Sequence, residues 1–172
     1  MRNVEGVVIG LVKEIDAAKA QVKLEFPWLQ SSYRSNWAPI AAPMSGSKRG
    51  LFMMPEKDDE VLVAFRQGNM DHPYVIGFLW NGSDAPPDSK SQNRIIVTSG
   101  GHTLRFEDDE KGKPGKRVIL KSNAGHEVVL DDEGKNVMVQ FKGGGSIKMT
   151  QNDLVLQHGH SITITSQGIA IS

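Results

Sequence analysis

Gly125-His-Glu-Val-Val-Leu-Asp-Asp-Glu133 repeats the frame of Gly101-His-Thr-Leu-Arg-Phe-Glu-Asp-Asp109. Both stretches open on Gly-His, set apolar residues at alternate places and close on adjacent acids. Gly144-Gly-Ser-Ile-Lys-Met-Thr-Gln-Asn152 and Gly159-His-Ser-Ile-Thr-Ile-Thr-Ser-Gln167 follow the same frame, and the four starts lie 24, 19 and 15 residues apart. Each is followed by a second alternating run, at Arg117–Lys121, Val137–Phe141, Leu154–Gln157 and Ile169–Ser172. The unit is therefore turn, strand, turn, strand, and it shortens along the chain. Charged residues give way to Gln, Thr, Ser, Gly and Ile in the same direction. A short period of strand pairs without a helix reads as a β-solenoid or β-prism.

Such a unit has too few large side chains to bury a core alone. Nine of the eleven aromatic residues lie before residue 86, leaving only Phe106 and Phe141 for the repeat. A module of about 80 residues with so little bulk is marginal as a monomer. Cyclic symmetry is the natural remedy, with three copies bringing their Ile, Val, Leu and Met onto a shared axis.

Working back toward the N-terminus, Asn81–Asn93 is dense in turn and breaker residues, with Pro86-Pro87 at its centre. Adjacent prolines favour an extended, semi-rigid connector. The chain is thus expected to divide into residues 1–85, a linker over 86–94, and the repeat over 95–172. In the first part, alternating or clustered apolar runs predict strands at about Glu5–Ile15, Ala20–Phe26, Trp37–Ala41, Gly50–Met54, Glu60–Arg66 and Tyr74–Trp80. The best helical stretch, Lys13–Gln21, is too short and mostly Ala on its apolar side. Five or six short strands in this length suggest a small closed barrel, which leaves no exposed sheet edge.

Charge narrows the function classes. The 172 residues carry 20 Lys and Arg against 20 Asp and Glu, so no basic field draws the chain to nucleic acid or anionic lipid. There is no Cys, which removes disulfides, thiolate metal sites and Cys nucleophiles. The opening run is interrupted by Glu5, Lys13 and Glu14, unlike a signal peptide or a membrane span. A protein made in the cytoplasm without an export address is the expectation.

Trp37-Ala-Pro-Ile-Ala-Ala-Pro43, Ser45-Gly46, Gly50, Pro55, Asp59-Glu-Val-Leu-Val-Ala-Phe65, Gly68, Pro73, Gly77 and Trp80-Asn81 form a pattern. It resembles the OB-fold domain of the baseplate assembly protein V family, which supplies the central spike of contractile phage tails. The same domain occurs in VgrG proteins of type VI secretion and in spikes of phage-like injection systems. The family follows this domain with a triple-stranded β-helix of Gly-His-led repeats, so the resemblance spans residues 4–172. Asp58 and Asn69 stand where the family usually has Gly and Asp, and both suit left-handed turns. The resemblance implies an all-β homotrimer whose OB barrel docks on a separate hub protein. Its intertwined β-prism would point toward the target membrane and pierce it mechanically. No lysozyme-like insert follows the barrel, which argues against a built-in muramidase, and no large N-terminal hub domain precedes it, so the hub is expected to be a separate protein.

Candidate chemistry is weighed against structural roles. His158-Gly159-His160 places two imidazoles on one side of an extended chain, and three copies would offer six nitrogens suited to iron. Some spikes of the resembled family carry such a site. His160 nevertheless shares its repeat position with His102 and His126, so a turn role is the preferred reading and no metal or other cofactor is assigned. His72, before Pro73, reads as a loop residue. Asp108-Asp109 and Asp131-Asp132 recur beside Gly and read as turns rather than catalytic carboxylates, which would need a unique partner. Gly143-Gly-Gly145 lacks the Lys-Ser/Thr of a phosphate loop. No catalytic residue is assigned.

Trp28, Tyr33, Trp37, Tyr74 and Trp80 could stack single-stranded bases, as OB-folds often do. The barrel part holds 9 basic and 10 acidic residues, which disfavours that alternative. These aromatics are expected in the core or at subunit contacts, with Trp28 marking a hub-facing surface. A polysaccharide-active β-helical enzyme is a third reading, but it needs a longer solenoid. Finally, Ile169-Ala-Ile-Ser172 lacks a polar cap. Ile169, Ile171 and Ser172 are therefore expected to form a docking face, which the resemblance assigns to a PAAR-repeat tip protein.

Overall fold

The computed structural model describes residues 4–29, 33–108 and 115–172. Asp109 of the first acidic pair lies outside the described residues. The chain divides into two units, Met1–Ala85 and Pro86–Ser172, and every described strand pairing but one bridge is antiparallel.

The first unit contains β1 (Val7–Asp16), β2 (Gln21–Glu25), β3 (Ala38–Pro39), β4 (Ser45–Gly46), β5 (Arg49–Gly50), β6 (Glu60–Phe65) and β7 (Pro73–Phe78). Five of them form a sheet in the order β3-β2-β1-β6-β7, while β4 and β5 pair as a separate hairpin. The sheet nearly closes. Ile40 bridges Val75 in parallel, and the Ala41 N–H donates to the Val75 carbonyl at 2.8 Å. The alternation of β6 explains the interior, since Val61, Val63 and Phe65 are buried between outward Glu60, Leu62 and Ala64. Val12, Leu24, Phe26 and Val75 complete the core. Gly10 admits the large ring at its centre, because a Cβ there would lie 3.2 Å from Val63 and 3.4 Å from Phe26. Buried Ser35 stays satisfied by accepting the Leu24 N–H at 3.0 Å and donating to the Asn36 carbonyl at 2.6 Å.

The structure corrects several strand expectations. β1 runs on to Asp16, and Ala20 turns the chain at φ 52°. The expected strand at Trp37–Ala41 shrinks to two residues, because Pro39 cannot donate to a ladder, and of Gly50–Met54 only Gly50 enters a strand, at the end of β5. Asp58 does take a left-handed turn at φ 73°, but Asn69 is extended. Gln67 and Gly68 supply the positive φ there, and the Asn69 side chain accepts the Asp71 N–H instead.

The second unit consists of β8 (Arg94–Val97), β9 (Thr103–Glu107), β10 (Arg117–Lys121), β11 (Glu127–Asp131), β12 (Asn136–Gln140), β13 (Ser146–Thr150), β14 (Asp153–His158), β15 (His160–Thr165) and β16 (Gly168–Ile171). They form one nine-stranded sheet in strict chain order. Each sequence repeat is thus a hairpin in an open antiparallel meander, and strand β8 precedes the first repeat. The hairpin turns at one end share a mechanism. Gly101, Gly125 and Gly144 each donate their N–H three residues back, to Thr98, Ser122 and Phe141, with φ between 79° and 113°. A type I turn followed by a left-handed residue requires Gly at that place.

Candidate functional site

The register of the meander sorts its side chains into rows. Ile96 faces Leu104, and the same row continues through Leu120, Val128, Val139, Ile147, Leu156 and Ile162 to Ile171. Two residues along, a parallel row begins at Arg94 and Phe106. It continues through Val118, Leu130, Val137, Met149, Leu154 and Ile164 to Ile169. Successive residues of a strand point to opposite faces, so both rows lie on one face. Along these two rows the face is apolar from β8 to β16 apart from Arg94, and His158 and His160 lie beside the rows at the ends of β14 and β15. Among the described residues of this unit, Val129 alone among the hydrophobics is buried, and it lies on the other face.

Most of the apolar face is open. Ile171 is 77% exposed, and Leu120, Val139 and Met149 are also exposed. An open trough of about 730 Å³ runs along it, walled by Val139, Phe141, Ile147, Leu156 and Ile162. Monomers rarely expose so large a contiguous apolar patch, and its burial is worth about 25 cal/mol per Å². The opposite face carries Lys121 beside Glu127, Arg117 beside Glu107, and Gln140 beside Ser146. The charged and polar residues flank a middle row of that opposite face that also holds Ile119, Val129 and Met138.

The histidines fall at one end of the apolar face. His102 Nδ1 accepts the Asn123 N–H at 3.2 Å, and His126 Nδ1 accepts the Lys142 N–H at 3.3 Å while its ring stacks on Phe141. Each of these rings caps the neighbouring hairpin turn. His158 and His160 face each other across Gly159, both exposed. Among the described residues, no group of three His, Asp or Glu lies close enough to hold a metal ion. Asp131 is a turn residue, its Oδ1 accepting the Gly134 N–H at 2.7 Å. His72 belongs to the loop before β7, where its carbonyl accepts the Arg66 N–H.

At the start of the meander lies a charged cluster that sequence reasoning missed. Arg105 Nη1 reaches Asp88 Oδ2 at 3.3 Å and Glu107 Oε1 at 3.2 Å, and Arg117 binds Glu107 at 2.6 Å. Asn93 donates to Asp88 at 2.8 Å. That bond, the Lys90 N–H and nearby Arg105 hold the Asp88 carboxyl below its ordinary pKa. Burial pushes Glu107 up, but the bonds from Arg117 and Arg105 outweigh it and the net shift is downward. No spacing rule links residue 88 to 105; only strand pairing brings them together.

The five aromatics weighed for base stacking lie outside the barrel core. Phe26 and Phe65 are buried, with ring centroids 5.7 Å apart. Trp28, Tyr33, Trp37, Tyr74 and Trp80 are all exposed. Trp28 and Tyr33 lean on Phe26, and Lys23 Nζ lies 4.8 Å over Trp37. The inward rows take only Phe26 and Phe65 among the described aromatic rings of this unit. Ile169 and Ile171 of the expected docking face lie on edge strand β16. Ser172 exchanges backbone hydrogen bonds with Ser161 at 2.8 and 3.0 Å.

Residues 8–80 match the family described as the type VI secretion system/phage-baseplate injector OB domain. Over 125 residues the chain is 31% identical to the actin cross-linking toxin VgrG1 of Vibrio cholerae, an alignment covering 66% of this chain and 11% of that protein. It is 30% identical over 130 residues to the type VI secretion system spike protein VgrG3 of the same species, covering 69% of this chain and 12% of that protein. To the spike protein VgrG2a of Pseudomonas aeruginosa it is 27% identical over 100 residues, covering 51% of this chain and 12% of that protein. The chain thus matches only about a tenth of the length of these relatives.

Proposed function

We propose, from the premise that the barrel of this chain belongs to the type VI secretion/phage-baseplate injector OB family and that VgrG spike proteins are its relatives, that the chain is a structural spike component of a contractile injection machine. The observation that carries this is the apolar face whose two rows run the length of the meander with Arg94 as their one polar member, in a chain that also holds an OB barrel. An apolar face nine strands long needs a partner of equal length and matching register. Copies of the same chain supply both. Three sheets turning this face inward would form a triple-stranded β-prism, with the charged face outside.

In this reading the protein works mechanically and catalyses no reaction. It carries no metal or other cofactor, and His158 and His160 act as turn residues. The barrel docks on a baseplate hub, with exposed Trp28 at that surface, and the prism leads toward the target membrane, which it contacts transiently. Ile169 and Ile171 present an apolar end where a PAAR-repeat tip protein seats. Ser172, paired with Ser161, holds the last strand in place for it. The chain is made in the cytoplasm and is assembled into a phage tail or a related particle.

Size-exclusion chromatography with light scattering tests the reading. The expected mass is three times the 18.8 kDa chain, persisting at low micromolar concentration. A folded monomer overturns it. Sub-micromolar binding of a labelled single-stranded oligonucleotide at physiological salt would instead favour a nucleic-acid-binding OB protein.

A further inference from the structure

Two more apolar surfaces remain uncovered, both on the barrel unit. One is the arm formed by the β4–β5 hairpin and the chain after it. Its turn is fixed locally. The Leu51 N–H donates to the Met44 carbonyl at 3.0 Å, and Gly50 sits at φ +149°, where a Cβ would lie 2.6 Å from that same oxygen. This holds Met44, Leu51, Phe52 and Met53 outward, with Phe52 67% exposed. The other surface is the outer face of β1, β6 and β7. Register sets Val7, Ala64 and Tyr74 in one row and Ile9 and Leu62 in the next, with Ile76 at the bulge. Val7, Ile9, Tyr74 and Ile76 are exposed.

The charges around the two surfaces are opposite and unused. Lys48 and Arg49 stand at the turn of the arm, and neither has an ion pair or side-chain hydrogen bond among the described residues. Glu5 precedes Val7, and Glu60 shares the outward face with Leu62 and Ala64. Neither acid has a side-chain partner among the described residues. A basic apolar finger and an acid-edged apolar sheet face are complementary, and within one chain both stay open.

We propose that the arm of one copy seats on the outer β1-β6-β7 face of the next copy, with Lys48 and Arg49 approaching Glu5 and Glu60. This rests on the homotrimer reading and assigns the barrel units their own contact within it. The contact joins two different patches, so it is heterologous and closes only as a ring. Phe52 is the anchor, since large rings in desolvated contacts dominate interface energy.

Because the chain has no Cys, engineered disulfides read the contact directly. The double variant Phe52→Cys/Ile76→Cys is oxidised mildly and run on a non-reducing denaturing gel, with its mass in solution measured in parallel. Covalently linked trimers from the double variant, with neither single variant cross-linking, are expected. A trimer by light scattering that gives no cross-link overturns the contact while leaving the homotrimer standing. Covalent dimers from either single variant overturn it too, because like patches then meet. A monomer by light scattering overturns the homotrimer reading, and this inference with it. If circular dichroism shows the double variant misfolded, a charge-reversal series decides. Lys48→Glu/Arg49→Glu is expected to raise the trimer dissociation constant about tenfold, and adding Glu5→Lys/Glu60→Lys to restore it. An unchanged constant, or no restoration, overturns the proposal.

Discussion

Val63 and Val139 are the same side chain in nearly the same setting. Each sits mid-strand in an antiparallel sheet, with a paired strand on either side. Val63 is fully buried, whereas Val139 is 45% exposed. Val63 adjoins a bulge toward β7 and is still the buried one, so pairing does not decide burial. In the barrel the sheet curls until Ile40 meets Val75 and the inward rows cover one another. In the meander the sheet stays open, and no described residue of that unit covers the row. One unit makes its own core; the other carries half of one.

The largest test of this difference is a charge on the open face. Ile147→Asp should abolish assembly, because each copy would bury an unpaired carboxylate at a cost of several kcal/mol. The barrel should stay folded. All three Trp lie in the barrel unit, so tryptophan fluorescence reports its unfolding separately while light scattering reports the mass. An unchanged trimer would mean that Ile147 faces solvent and that the register argument fails by one residue.

Next in size is the converse experiment in the barrel. Phe26→Ala should cost about 3–5 kcal/mol, the range for emptying a large ring from a packed core. The loss should appear in the denaturant midpoint of tryptophan fluorescence. A barrel as stable as the parent would show that the exposed aromatics collapse into the vacated space.

These two variants fall where the sequence was most and least informative. Alternation in Glu60–Phe65 and the Gly-His repeat were legible because each strand states its own period. Barrel closure was inferable only as a tendency, since the Ile40–Val75 bridge joins residues 35 positions apart. Trp28 was expected at a surface, but the exposed state of Tyr33, Trp37, Tyr74 and Trp80 was not legible. Composition weighs bulk but does not say that only Phe26 and Phe65 turn inward. The Arg105 cluster was hidden for a similar reason, because its members meet through register and not through spacing. The shortened strand around Pro39 was readable in principle from the missing proline donor, whereas Gly50–Met54 holds no such signal.

A smaller effect should come from the turns of the meander. Gly125 sits at φ +91°, and a Cβ there would lie 2.9 Å from the Lys142 side chain. Gly125→Ala should therefore cost about 1–2 kcal/mol for the left-handed residue, the Lys142 stem being free to shift. The assembled particle should melt at a lower temperature and keep its mass. Gly82→Ala, at an open linker position, should change neither and serves as the control.

The smallest expected effect is at the start of the meander, where acid should loosen what the charged cluster ties down. Asp88 and Glu107 both have folded-state pKa values below their ordinary ones. A carboxylate with a depressed folded pKa contributes stability that is present above its unfolded pKa, about 4, and is lost as pH falls through the folded value. Between pH 7 and pH 5 the cluster should therefore be unaffected. Between pH 4 and pH 2 the bonds from Arg105, Arg117 and Asn93 should weaken as the carboxyls protonate. Lys90, whose N–H donates to Asp88 Oδ1 at 2.9 Å, reports this directly. Its amide protection, corrected for intrinsic exchange, should drop across that window while the Leu24 amide, bonded to buried Ser35, keeps its own. Asp88→Asn should show the lowered Lys90 protection already at pH 7 and little further change in acid. Equal protection of Lys90 at pH 7 and pH 3 would mean that the prolines alone hold the connector, and that the Arg105 cluster is only surface decoration on the charged face.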